Sequence, residues 1–152
     1  MSTEPGQDYR FITPSLNFKN TAEAIDFYTK AFGAVERFRV EAPNGAMMHA
    51  EMQFADSILM LSDACEEWHA PTPAESGCPV LLSLRTDDCD ALFNQAVAAG
   101  CEVLMPMADQ FWGERSGTVR DPFGYRWCMS KHIEDVSPEE MQKRMAEMGM
   151  GS

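Results

Sequence analysis

Basic residues are scarce in this chain: 12 lysines and arginines stand against 24 aspartates and glutamates, for a formal net charge of −12. That balance excludes binding driven by nucleic-acid phosphates, which needs a basic surface, and it disfavours anionic membrane surfaces. Long apolar runs are missing as well. None approaches 18 residues, so no membrane-spanning helix is expected, and the 45% hydrophobic content suits a globular domain of ordinary size at 152 residues. Metal-site spacing is also lacking. Cys65, Cys78, Cys89, Cys101 and Cys128 are odd in number, irregularly placed and without a CxxC pair. They read as reduced thiols of a cytoplasmic protein. The first ten residues are polar and contain no apolar segment of a secretory leader.

Methionine, by contrast, is abundant, with 12 residues. Met47, Met48, Met52, Met60, Met105, Met107 and Met129 fall on expected strands, and Met141, Met145 and Met148 on a terminal helix. Thioether side chains fill irregular cores and line adaptable binding surfaces; core filling is the favoured reading here.

The chain is built from two related halves. A shift of 68 positions carries Ser15 onto Ser83, Leu16 onto Leu84, Gly45 onto Gly113 and Ser62 onto Ser130. The helix ends match at 67, Gly33 on Gly100. A repeat of this length suits a duplicated half-domain rather than a solenoid unit. Two such halves facing each other would create a concave site between them.

Each half reads strand, helix, three strands. Residues 1–10 are expected to form a loose tail and 11–62 the first module. Residues 63–79 make a proline-containing linker long enough to serve as a lid, and 80–131 the second module. Residues 132–152 hold a C-terminal helix, the whole forming one structural domain. Asn20 or Thr21 caps the first helix, which buries Ala24, Phe27, Tyr28 and Ala31 and stops at Gly33. Asp87 or Asp88 opens the second helix, and Asp121-Pro122-Phe123-Gly124 makes the last hairpin turn. Ser137-Pro138-Glu139-Glu140 is a capping box with proline at the first helical position.

This doubled β-α-β-β-β order, with Phe27-Tyr28 in the first helix and Asp121-Pro122-Phe123-Gly124 before the last strand, resembles the vicinal oxygen chelate superfamily. That group includes glyoxalase I, extradiol dioxygenases and bleomycin- and fosfomycin-resistance proteins. Within it, Ile12-Thr13-Pro14-Ser15-Leu16, Ala24 to Gly33 and Asp109-Gln110-Phe111-Trp112-Gly113-Glu114-Arg115 look like the PhnB-like branch. The resemblance covers residues 10–131. It implies an α+β fold of two βαβββ modules forming a cleft of curved mixed sheets, and a homodimer.

Family enzymes place His, Gln or Glu metal ligands on the first and last strand of each half. Carried over by the resemblance, those points fall on Thr13, Met60, Leu81 and Cys128. Leucine cannot ligate, and thioether and thiol suit softer ions than Zn²⁺, Fe²⁺, Ni²⁺ or Mn²⁺. The usual metal site and any other cofactor are therefore not expected, a divalent metal at a displaced site being the alternative.

Strand parity puts Thr13, Ser15, Asn17, Ile58, Met60, Ser62, Leu81, Ser83, Arg85, Arg126, Cys128 and Ser130 on the concave face. Apolar walls with small hydroxyl donors suit an amphipathic ligand. Arg126 or Arg85 could hold a carboxylate or phosphate, or pair with a neighbouring acid at the rim. Trp112, in the turn before the seventh strand, could stack on a planar ligand or anchor the loop. Trp127, alternating away from Cys128, is expected to pack under the second helix. Trp68 and His69 on the linker could close over the cleft.

His49 and Glu51 share one strand face and could supply a general acid–base pair. Cys128 near Arg126 could be a thiol of lowered pKa, acting as nucleophile or redox sensor, or an inert buried thiol. The favoured expectation is a metal-independent binder of a small amphipathic or aromatic molecule, with Thr13, Ser15, Met60, Leu81, Ser83, Trp112, Arg126 and Cys128 at the site. The alternative is a lyase, isomerase or dioxygenase-type enzyme using Cys128, or a displaced metal near His49 and Glu51. A third is an interaction module that docks through the methionine-rich C-terminal helix.

Overall fold

Asn20 starts the first helix by accepting a hydrogen bond from the Glu23 amide, and Gly33 ends it in the left-handed region at φ 68°. Its amide there closes onto Thr29 O. Between these caps, α1 (Thr21–Phe32) buries Ala24, Ile25, Tyr28 and Ala31, a stripe at helical spacing. This is seen in a computed structural model that describes residue 4 and residues 6–149.

The first module runs β1 (Ser15–Phe18), α1, β2 (Val35–Glu41), β3 (Met47–Phe54) and β4 (Ser57–Asp63). The second runs β5 (Leu81–Arg85), α2 (Cys89–Ala99), β6 (Glu102–Asp109), β7 (Glu114–Arg120) and β8 (Arg126–His132), followed by α3 (Pro138–Glu147). Each module is a four-stranded mixed sheet, ordered β1-β4-β3-β2 and β5-β8-β7-β6. The first and last strands of each are parallel, as a helical crossover requires. Register repeats too. Ser15 lies opposite Met60, and Ser83 opposite Cys128, the same pair displaced by 68. The fold is thus the α+β arrangement of two βαβββ modules that the sequence implies.

What joins the modules is their helix-bearing faces. Leu16, Phe18, Met52, Phe54 and Leu61 of the first sheet share one buried cluster with Phe93, Val119, Trp127 and Met129 of the second module. Trp127 is fully buried, stacked on Phe54 at 5.4 Å and packed against Tyr28 and Phe32. While α2 packs across β7 and β8 of its own sheet, Trp127 thus draws its ring partners from the first module's helix and sheet. The sequence gives its face correctly, but a core common to both modules supplies it with partners from the other half.

Two polar contacts lock this junction. The Tyr125 phenol donates to Asn17 O and accepts from Asn17 N, each at 2.9 Å, closing the free edge of β1. Asp121, buried at the β7–β8 turn, accepts from Tyr28 Oη at 2.5 Å, Trp127 Nε1 at 2.9 Å and the amides of Phe123 and Tyr125. At the other end of α1, Asp63 accepts from Thr21 N, Thr21 Oγ1 and Met47 N.

The remaining segments lie outside this core. In the linker, a short 3₁₀ turn (Glu66–Trp68) leaves Trp68 60% exposed, and Thr72 and Pro73 line a groove of about 390 Å³ together with Phe18, the start of α1 and Phe123. At the C-terminus, Gly113 O accepts from Ile133 N and Glu134 N, and Arg144 of α3 binds Phe111 O and Glu134. No residue of α3 is buried.

Candidate functional site

With both helix-bearing faces spent on the core, each sheet has one face left for a ligand. Along β1, β3 and β4 this outer face carries Ser15, Asn17, His49, Glu51, Met60 and Ser62. Along β5, β7 and β8 it carries Leu81, Ser83, Arg85, Ser116, Thr118, Arg126, Cys128 and Ser130. The free faces look away from the shared core. Within one chain the duplicated halves meet back to back, so the concave site between them that the duplication suggests is not formed by the two outer faces of a single copy.

On the second module, Cys128 lies between Ser83 and Thr118 in the ladder, and Leu81 beside Arg126. The apolar members are exposed, Leu81 at 42% and Met105, opposite Thr118, at 52%. Burial raises the Cys128 thiol, and the nearby Glu114 carboxylate pushes the same way against hydrogen bonds from Thr118 and Ser116. Of the two readings of Cys128, the inert buried thiol is the one these surroundings favour. Arg126 instead directs Nη2 to Pro79 O, and Arg85 pairs with Glu114 at the rim.

Thr13 and Ser83 come together where the segment before β1 passes β5, lining a groove of about 180 Å³ with Pro14, Leu82 and Trp127. A second groove of about 290 Å³ runs between Phe32, Phe54 and Ser57 on one side and Ser83, Leu84 and Arg85 on the other. Met60 and Cys128 belong to separate sheets and are not brought together. Trp112 is half-buried at the β6–β7 turn, edge-on to Phe111 at 5.0 Å, beside the C-terminal helix.

The outer face of the first module is different in kind. Glu51, fully buried, lies opposite Met60 in the ladder, as Thr118 lies opposite Cys128. Its Oε1 accepts from Arg37 Nη1 at 2.8 Å, and its Oε2 contacts His49 Nε2 at 3.1 Å and the Tyr9 hydroxyl. A register shift between Glu36 and Phe38 makes Arg37 the extra residue of a bulge. Bulges re-aim side chains in this way. Phe38 flanks His49 at 5.7 Å. Gln7 O and Asp8 also bind Arg37, so the described part of the tail is anchored on this face rather than loose. Burial raises the Tyr9 phenol, and Glu51 adds to the shift.

His49 and Glu51 were legible as a pair, since they alternate on one strand. Arg37 and Tyr9 were not. Alternation counted from Phe38, which lies opposite Glu51, puts Arg37 on the other face until the bulge is known. Nothing local marks Tyr9.

Among the described residues, no three His, Cys, Asp or Glu side chains are grouped so as to hold a metal ion. The four positions carried over from the family hold a hydroxyl, a thioether, an alkyl chain and a thiol with raised pKa. That donor set does not fit a hard or borderline divalent ion.

The family model for the glyoxalase/bleomycin resistance protein/dioxygenase superfamily matches residues 10–129. The chain belongs to that superfamily. A relative, Mb0911c of Mycobacterium bovis, is 38% identical over 144 residues, spanning 92% of this chain and 95% of its own. Among solved structures, TioX from Micromonospora sp. ML1 superimposes with a TM-score of 0.67 at 25% identity, covering 82% of this chain and 99% of that one. The PhnB protein from Bacillus cereus shares the fold, with a TM-score of 0.59 at 23% identity over 80% of this chain and 99% of its own.

Proposed function

We propose that this protein binds a small amphipathic or aromatic molecule on the outer faces of its sheets, without a metal held at the family's usual positions. The observation that carries this reading is the second module's face. Exposed Leu81 and Met105 surround Ser83, Thr118 and Cys128, an apolar surface with small donors at its centre. A second copy would complete the cleft by covering one module's face with the other module of its partner. Phe11, Ile12, Val80 and Leu81, all exposed, are apolar surface that such pairing would bury.

The enzymatic alternative has less support. A protonated Cys128 is a poor nucleophile.

The test is intrinsic tryptophan fluorescence and melting temperature across a panel of planar aromatic acids and amides, for the native chain and for Ser83→Arg. Binding that Ser83→Arg abolishes is the expected result. A panel that shifts neither signal rejects the reading. Stoichiometric Zn, Fe, Ni or Mn in protein purified without chelator would reject its metal-independent part. Light scattering at micromolar concentration tests the dimer.

A further inference from the structure

The second module's equivalent of Glu51 is Thr118, each facing the last strand at the repeat-related pair Met60 and Cys128. The fold therefore accepts an uncharged residue at this point. A fully buried carboxylate paired with an arginine is costly to desolvate, and the sheet itself does not require it. The cover over the pair is shallow. It is neither helix nor strand but the segment 6–12, in which Tyr9 is 37% exposed and Phe11 wholly so. Asp8 holds a left-handed backbone at φ 64°, uncommon outside glycine. The segment is thus bent to fit the cluster.

Its contacts read as those of a ligand in a receptor. Gln7 O meets Arg37 Nη1 at 3.2 Å, and the Asp8 carboxylate meets Arg37 Nη2 at 3.5 Å. The Tyr9 phenol donates to Glu51 Oε2. Guanidinium receives acceptors, carboxylate receives a donor, and Phe38 with His49 forms an aromatic wall nearby. We propose that Arg37, Glu51 and His49 form a binding subsite for a phenol bearing a carbonyl or carboxylate oxygen, which segment 6–12 occupies as an internal stand-in. The ligand's hydroxyl replaces that of Tyr9 on Glu51, and its acceptor oxygen replaces Gln7 O and Asp8 on Arg37. The segment must lift for the ligand to enter, so Tyr9 sets the apparent affinity as a competitor.

This rests on the reading of the protein as a small-molecule binder, and its test separates the two. Titration calorimetry would compare salicylate, 3-hydroxybenzoate and 4-hydroxybenzoate with benzoate, on the full chain and on Tyr9→Ala and Tyr9→Phe. Tyr9→Phe keeps the ring and guards against a loss of packing. In both variants at least one hydroxybenzoate should bind about tenfold tighter than to the native chain, the worth of one charge-assisted hydrogen bond. Benzoate, which has no hydroxyl for Glu51, should stay clearly weaker than that hydroxybenzoate on both variants, and adding Glu51→Gln should remove the difference. No gain in either variant, or no preference over benzoate, would overturn the subsite. If the aromatic panel still binds the native chain under that outcome, the wider binding reading survives. If nothing binds any form, both fall.

Discussion

Tyr28 of the first module donates its phenol to Asp121 of the second at 2.5 Å, inside the core that the modules share. Burial, with the Asp121 charge beside it, raises the Tyr28 phenol well above its ordinary value, so it remains a donor at any working pH. The contact joins a helix to a turn 93 residues away.

Tyr28→Phe should cost about 1.5–3 kcal/mol, the usual worth of a hydrogen bond to a charged group. Asp121→Ala should cost more, because the Trp127 indole and two amides lose their acceptor along with Tyr28. Urea unfolding followed by tryptophan fluorescence measures both. A Tyr28→Phe midpoint equal to the native one would show that this bond does not hold the modules together.

Asp63 gives the stability a dependence on acid. Its burial raises the pKa, but hydrogen bonds from Thr21 and Met47 outweigh this and leave the carboxyl lowered from 3.8. A lowered folded value means that the unfolded state binds the proton first. The stabilisation is complete above the ordinary value and drains away as pH falls through the folded one. Asp63→Asn should therefore flatten the loss of melting temperature below pH 4, with a lower melting temperature at pH 7. A parallel acid limb in the variant would remove Asp63 from the account.

The cysteines should separate cleanly under alkylation. Burial pushes Cys101 up to about 12, and Cys89 is equally inaccessible. At pH 8, mass spectrometry should find Cys65 and Cys78 labelled first, Cys128 later, and Cys89 and Cys101 only after unfolding. Labelling of Cys128 ahead of the others would restore it as a reactive thiol.

Two glycines related by the repeat make a matched test. A Cβ at Gly113 would lie 2.2 Å from Glu134 O, whereas at Gly45 it would meet nothing within 4 Å. Both have positive φ. Gly45→Ala should cost about 1–2 kcal/mol for the left-handed backbone alone. Gly113→Ala should cost clearly more and should free the chain after β8, seen as faster proteolysis around residues 133–137. Equal losses would mean that the C-terminal segment yields without penalty.

The repeat and the caps were legible because they are local. Asn20, Gly33, Asp88, Gly100 and Ser137 each act on backbone within a few residues. The 68-residue offset also relates the two ladders, in which Ser15–Met60 recurs as Ser83–Cys128. The relation between modules was not legible, since a duplication states that two halves are alike without saying which faces meet. Trp127 illustrates this: its parity was readable, its partners Tyr28, Phe32 and Phe54 were not. The first strand also begins later than the alternation of residues 11–18 suggests, at Ser15. Ile12 is 78% exposed, because the ladder with β4 starts only at Ser15. Arg37 was hidden by a bulge, and Tyr9 by its place in a polar tail.

The back-to-back core has an evolutionary reading. Once each copy of a duplicated half supplies the other with Trp127, Tyr28 and Asp121, deleting either copy strips the other of core partners. Residues pointing outward escape that mutual dependence. One copy has acquired a buried ion pair and the other a bench of hydroxyls, on the same backbone and in the same register. A single ancestral surface has become two with unlike chemical tastes.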